Sequence, residues 1–477
     1  MTARAVTLAL LLGAASCTVG PDYRPPTVAA PADWLEAWNY GIDTTPADLS
    51  RWWNQFKDPL LNSLIERAAQ SNLDLAVAQA RIREARGALG ASDADLWPTV
   101  DGAIAFSRSR TSANSISSSS SQGGSFSSNQ LDLERNLFKT GFDAAWELDI
   151  FGGARRRVEA AQAMVDVAVE ERRGVLVTLL GEVARNYIEL RGWQRRLAIA
   201  QDNLTAQRDI LALTKVRFGA GLASDLEVAL AEGQAHTTAA QIPGLEGAIK
   251  QLVYRLEVLI AGQPGLLWHE LAAPLAIPAL PPQTQVGLPA ELLRRRPDIR
   301  RAERQLAAAT AQVGAATADL YPKFSLTGVF GLQSLSASDW FAGRSRYWSI
   351  GPTITWPVFD AGKIRANIEI RSAQQEQALR LYEKSVLNGL AEVESALVSY
   401  VMEQGRYRAL LEALSGNQRA LGVAEDLYRQ GLVAYLNVLD AQRSVYATAN
   451  DLAQSETNLA VNLVGLYKAL GGGWRSE

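Results

Sequence analysis

The sequence predicts a mainly α-helical chain built from very long coiled-coil hairpins, with a small β-sheet suited to a transmembrane barrel. Three observations predict it. Two proline-free stretches of helical composition are far longer than a compact domain accommodates, an alternating strand pair precedes each of them, and matching motifs write the whole arrangement twice.

The duplication is read from three motif pairs in the same order. Leu96-Trp97-Pro98 returns as Leu320-Tyr321-Pro322, 224 positions on. Phe151-Gly152-Gly153-Ala154-Arg155 returns as Phe359-Asp360-Ala361-Gly362-Lys363 at 208, and Phe218-Gly219-Ala220-Gly221-Leu222 as Tyr428-Arg429-Gln430-Gly431-Leu432 at 210. Each half reads as helix, two strands, very long helix, turn, helix. The first helices, Asn72 to Asp95 and Asp298 to Asp319, end at Pro98 and Pro322, because proline lacks an N–H and restricts the residue before it.

After those prolines the period changes to two. Val100, Gly102, Ile104 and Phe106 mark one strand, and Phe142, Ala144, Trp146, Leu148 and Ile150 its partner. In the second half the strands are Phe324, Leu326, Gly328 and Phe330, then Trp348, Ile350, Ile354, Trp356 and Val358. One face carries apolar and aromatic side chains and the other small or charged ones. A half-buried soluble strand has the same pattern, but four such strands between long helices fit a barrel with a polar interior. No apolar run approaches the ~20 residues of a spanning helix, so a membrane crossing requires strands closed on themselves. Residues 107–128 join the first strand pair and hold twelve serines, which fits an outward-facing loop. The shorter loop of the second pair, Ser334 to Arg346, carries Trp340 and Phe341.

The long helices run from Ala154 to Phe218 and from Lys363 to Tyr428, each close to 100 Å at ~1.5 Å per residue. Val183, Tyr187, Leu190, Trp193, Leu197, Ala200, Leu204, Gln207, Leu211, Thr214 and Phe218 step by fours and threes. Their images 210 positions on run from Val393 through Leu397, Tyr400, Glu403 and Asn417 to Tyr428. This is a coiled-coil seam. Its polar members, Gln207, Glu403 and Asn417, are expected to lie beside water. Gly219, Gly221 and Gly431 supply the left-handed residues that end helices, and Ser224 and Asp225 offer caps to the next one.

At the N-terminus, Arg4, the apolar run Ala5 to Leu12 and the small residues Ala14, Ala15 and Ser16 precede Cys17, the only cysteine. This is the outline of a signal peptide ending in a lipobox, with Cys17 as the acylated residue. Uncharged Thr18 leaves outer-membrane delivery as the default. A net charge of −3 argues against nucleic acid as a partner. His236 and His269 are the only histidines, and His269-Glu270 lacks the second histidine of a zinc helix. Neither a phosphate-binding glycine loop nor a G-x-S-x-G elbow is present, so no enzyme is expected, no metal, and no cofactor beyond the N-terminal lipid. The basic runs Arg155 to Arg157 and Arg294 to Arg296 are read as solvated or lipid-facing charge. A periplasmic coiled-coil scaffold lipoprotein without a pore is the alternative, separated from a channel by ion conductance.

Several stretches resemble the outer membrane factor family, the TolC-like channels, and within it the lipid-anchored NodT/OprM type. They are Cys17 to Tyr23, Trp52-Trp53 with Phe56 to Leu61, Leu293 to Arg300 (LRRRPDIR), Trp356 to Ala366 (WPVFDAGKIRA), Tyr435 to Ser444 (YLNVLDAQRS) and Leu466 to Trp474 (LYKALGGGW). The resemblance implies a homotrimer, with four strands per protomer closing a twelve-stranded barrel in outer-membrane lipid and a twelve-helix periplasmic tunnel below it. It further implies a periplasmic adaptor and an inner-membrane transporter of the RND type, together exporting drugs, toxic compounds or metal ions. By the same resemblance Leu436, Asp440 and Arg443 fall on a periplasmic gate, with Arg443 as the partner of Asp440. Asn437 stands where TolC has a second aspartate. The tips, Gly221-Leu222-Ala223-Ser224 and Gly431-Leu432-Val433-Ala434, are where the adaptor is expected. The parse is a lipoprotein signal peptide at 1–16, an anchored segment at 17–57, repeats at 58–262 and 290–470, a linker at 263–289 and a tail at 471–477. Mass spectrometry of the mature N-terminus should find a lipidated Cys17, and Cys17→Ala should weaken membrane delivery. An unmodified cysteine, or cleavage elsewhere, defeats this reading.

Overall fold

A computed structural model describes residues 18–27, 31–35, 42–43, 45, 48–112, 133–281 and 284–475. The signal segment, Cys17 and most of the serine-rich loop lie outside the described residues. The elements are α1 (Pro59–Ser71), α2 (Leu73–Ala94), β1 (Thr99–Arg110), β2 (Glu134–Leu148), α3 (Gly153–Gly219) and α4 (Asp225–Leu259). Then follow α5 (Pro289–Arg295), α6 (Pro297–Ala318), β3 (Lys323–Ser334), β4 (Arg346–Thr355), α7 (Lys363–Arg429) and α8 (Tyr435–Ala469). Helices α3 and α7 each hold 67 residues, and α4 and α8 each hold 35. The chain is mainly helical. It divides into two units, the first of Met1–Pro25, Glu84–Val165 and Gln305–Leu379, the second of Pro26–Arg83, Asp166–Arg304 and Arg380–Glu477.

The first unit holds one antiparallel sheet in the order β1-β2-β3-β4. Residues directly opposite in such a ladder share a face. Gly102 pairs Phe142 and Phe142 pairs Phe330, which pairs Trp348. Val100 likewise aligns with Ala144, Gly328 and Ile350. The four apolar stripes therefore merge into one face, and no described residue covers it: Ile104 is 77% and Trp348 72% exposed. On the opposite face Gly141 and Gly331 are paired. A Cβ on Gly331 would lie 2.3 Å from the Thr140 carbonyl oxygen and 2.9 Å from the Tyr347 ring, so only glycine fits there. The strands end sooner than the alternation predicts, leaving Ile150, Trp356 and Val358 outside them. Pro357, with no N–H to give to a ladder, follows the last strand.

Equivalent devices tie both strand pairs to their flanks. The Trp146 indole N–H donates to the Leu96 carbonyl at 2.9 Å, and that of Trp356 to the Leu320 carbonyl at 3.1 Å. Asp149 accepts from the amides of Ala154 and Arg155, and Asp360 from those of Gly362 and Ile364, so a carboxylate caps each long helix. Phe151 stacks on Tyr321 at 4.6 Å. The segment after Cys17 is strapped to this junction, with the Val19 amide bonded to the Phe151 carbonyl and Thr18 against Gly152. While Arg155 and Arg157 stay partly exposed, Arg156 departs from the reading of its run as solvated charge. It is buried, and it donates to the Val19 carbonyl, Glu159 and Asp22, holding the Asp22 carboxyl below its ordinary range.

The second unit has the large core. Trp52 stacks on Tyr467 at 5.3 Å and meets Phe56 edge-on, among fully buried Leu61, Leu64, Leu180, Val183 and Tyr187. Three of the sequence motifs converge here. A Cβ on Gly472 would strike Trp52 at 2.9 Å, and one on Gly471 the Arg295 carbonyl at 3.0 Å. Arg296, 7% exposed, donates to the Ala469 carbonyl and pairs with Asp298 and Glu392 at 2.6 Å each. In its run only Arg296 departs from surface charge; Arg294 is exposed and Arg295 partly so. Trp474 lies beneath the guanidinium groups of Arg173 and Arg300.

The predicted seams are covered along almost their full length, from fully buried Val183 and Val393 downward. Of their polar members Gln207 is buried, contrary to expectation, while Glu403 and Asn417 stay partly exposed and bonded to neighbouring helices. Gln207 is 2% exposed, Glu403 accepts from the Ser455 hydroxyl, and the Asn417 amide donates to Thr448 at 2.9 Å. Helix α3 also meets α8 at Gly192, where a Cβ would come within 2.2 Å of the Thr457 hydroxyl oxygen. Gly192→Ala should lower stability by about 1–3 kcal/mol in thermal or denaturant unfolding. Thr457→Ala added to it should recover most of the loss, and failure to do so would show that the close approach is not what requires glycine.

Candidate functional site: the helical tips

The two helical hairpins turn in the same way. Gly221 and Gly431 have φ of +73° and +75°, the left-handed region that glycine enters without a steric cost. The Leu222 amide donates to the Arg217 carbonyl and the Gly221 amide to that of Phe218. The Leu432 and Gly431 amides repeat the pattern on Leu427 and Tyr428. Both are Schellman turns, which satisfy the last carbonyls of a helix. They leave Leu222 and Leu432 exposed alike, at 68% and 67%.

Beyond the turn the hairpins differ. Ser224 and Glu227 form a reciprocal capping box on α4, whereas Ala434 offers no side chain to cap α8. Glu227 supplies what is missing. One carboxylate oxygen accepts from the Ser224 amide at 3.2 Å, and the other from the Tyr435 amide at 3.4 Å, so a single anion serves two helix N-termini.

The hairpins pack through Ile210, Ala231, Tyr428, Tyr435, Val438 and Leu439, and this burial pushes the Tyr435 phenol upward. Polar contacts border the cluster. The Tyr428 hydroxyl lies 3.2 Å from that of Thr214, and Arg217 donates to the Tyr428 carbonyl while covering its ring at 4.7 Å. Arg443 Nε donates to Gln234 at 2.9 Å, and the Tyr446 hydroxyl to Gln241 at 2.7 Å.

Leu436, Asp440 and Arg443 share the exposed side of α8, with Leu436 55% exposed, while Val438, Leu439 and Gln442 face inward. The expected partnership is not formed. Arg443 reaches across to Gln234 of the first hairpin, and among the described residues no ion pair joins it to Asp440. The longer arginine reaches the neighbouring helix, whereas the aspartate carboxylate stays at its own exposed turn. Glu227, Gln234 and Gln241 were not singled out from the sequence. The S-x-x-E spacing of Ser224 and Glu227 was the one available signal; the glutamines carried none.

The sequence profile described as outer membrane efflux protein matches residues 64–262 and 288–472. The chain belongs to the outer membrane efflux protein family. It is a transport protein and not an enzyme. It is 32% identical to nodulation protein T of Rhizobium leguminosarum bv. trifolii, over 96% of this chain and 95% of that one. It is also 32% identical to the pyoverdine export outer membrane protein OpmQ of Pseudomonas aeruginosa, over 99% and 97%. Among solved structures, the outer-membrane channel OprN superposes with a TM-score of 0.88 at 36% identity, covering 96% of this chain and 100% of that one.

Within this efflux protein, Glu227→Ala should remove a cap worth about 1 kcal/mol. Hydrogen exchange should then quicken in the first turns of both α4 and α8. Adding Ala434→Ser should protect α8 alone. Faster exchange confined to α4 would show that Glu227 does not serve the second helix.

Proposed function

We propose that three copies of the chain form an outer-membrane exit duct that receives small molecules from an RND-type inner-membrane transporter through a periplasmic adaptor. The carrying observation is the sheet. One side is an apolar face left uncovered by the described residues, and among these β1 and β4 each have an unpaired edge. In lipid an open edge leaves backbone groups unsatisfied, each at a cost of several kcal/mol, so only closure is tolerated. Joining β4 of one copy to β1 of the next removes every edge, and three four-stranded sheets make a twelve-stranded barrel. The helices α3, α4, α7 and α8 of three copies then make the twelve-helix tunnel.

Lipidation of Cys17 agrees with the strapping of Thr18 and Val19 beside the end of β2, where an acyl chain would enter the leaflet that the strand ends reach. The matched tips support adaptor binding, since two like turns per chain present six exposed leucines around a trimer. Relatives such as OpmQ, named for pyoverdine export, support small-molecule cargo.

The gate lies at Leu436 and Asp440, and its latch is Arg443 on Gln234 rather than Arg443 on Asp440. Opening moves the second hairpin away from the first and breaks the bonds of Arg443 and Tyr446. Purified protein in a planar bilayer should conduct ions, Arg443→Ala should raise the single-channel conductance, and Asp440→Asn should reduce preference for cations. Absence of any channel activity would favour the pore-less scaffold. Unaltered conductance in Arg443→Ala would remove the latch and leave the duct standing.

A further inference from the structure

Of the two long-helix seams, every residue is at least partly covered except one. Phe218, the last of the first seam, is 46% exposed, whereas its image Tyr428 is 1% exposed. Tyr428 is buried because the first hairpin supplies a seat for it, made by Ile210, Thr214 and Arg217 of α3. The images of those three residues, 210 positions on, are Ala420, Ala424 and Leu427 of α7. All three line a largely apolar groove of about 490 Å³, together with Val423, Arg419 and Asn437, that no described residue fills.

We infer that Phe218 of one copy inserts into this groove of the next copy, repeating between chains the contact that Tyr428 makes within one. The inference rests on the trimeric reading, in which the hairpins alternate around a ring. A step from first to second hairpin then maps the Tyr428 seat onto the groove, and Tyr428 onto Phe218 of the neighbour. The chemistry changes in step on both sides. Tyr428 has a hydroxyl, and its seat offers the Thr214 hydroxyl and the Arg217 guanidinium. Phe218 has no hydroxyl, and its groove offers a methyl group and a leucine at the same two places. A buried hydroxyl without a partner is costly, so each ring is matched to its own seat and mismatched to the other. The same step sets Met402, 62% exposed, over Gly247, which has no atom within 4 Å of its Cβ direction, where Thr457 covers Gly192 within the chain. The partner is therefore a second copy of this chain, held in one order around the ring.

The test is crosslinking of paired cysteines with a short bismaleimide reagent, whose span replaces the ring that the cysteine removes, on full-length protein in native outer membranes. Phe218→Cys with Ala424→Cys should give covalent dimers and trimers, and Thr214→Cys with Tyr428→Cys should close within one chain and give none. Light scattering of the detergent-solubilised particle reports the assembly separately. A trimer without the Phe218–Ala424 crosslink overturns the inference and leaves the duct reading intact; a monomeric particle overturns both. A second pair of variants covers misfolding. Phe218→Tyr should lower the trimer's resistance to dissociation on heating, and adding Ala424→Thr, which restores a hydroxyl partner, should recover it. If Phe218→Tyr is silent, or Ala424→Thr fails to rescue it, the ring does not occupy that groove.

Discussion

Unpaired backbone at the two edges of a four-stranded sheet is the constraint on which the rest of this molecule depends. The sheet orders its four apolar stripes into one face, and the strands are of a length suited to tilted transmembrane strands. A soluble domain would lay a helix or second sheet on such a face, but among the described residues this chain lays nothing there. Its helices instead begin at carboxylate caps beyond the strand ends and continue without proline for 67 residues. The proposed ring of copies would close these edges, and outer-membrane lipid would cover the face.

The two halves repeat an order of elements while differing in chemistry where their hairpins meet. Turn geometry is nearly identical at Gly221 and Gly431, because the backbone must reverse in the same way. The side chains beyond it are not interchangeable. Ser224 caps its own helix, whereas Ala434 leaves its helix to Glu227 of the other hairpin. Bonds from Arg443, Tyr446 and the Tyr435 amide all run from the second hairpin to the first. Three modest polar contacts and a small apolar cluster join the hairpins here, separate from the large core.

The motifs that mark the family are mostly structural. Trp52, the glycines after Leu470 and the arginines before Pro297 meet in one core, where Arg296 is satisfied by two carboxylates and a helix-terminal carbonyl. A charge so placed leaves its partners uncompensated if it is removed, so Arg296, unlike exposed Arg294, is no surface feature.

Much of this was legible in residue order because it follows from local periodicity. Strand alternation, the four-three stripe, the prolines that stop α2 and α6 and the glycines that turn the tips are each specified by near neighbours. The apolar faces of β1 to β4 and the length of α3 and α7 were therefore readable from the chain alone. Side-chain partners were not. Nothing within a few residues of Arg156 or Arg296 says that one reaches Asp22 and the other the end of α8, and Arg443 lies nearer in sequence to Asp440 than to the glutamine it binds. The pairing of β2 with β3 across an entire helical hairpin was equally hidden. Periodicity is a property of consecutive residues, and so the sequence by itself determined the elements and their faces. Which face meets which is set by packing between distant segments, and only the tertiary structure decided it.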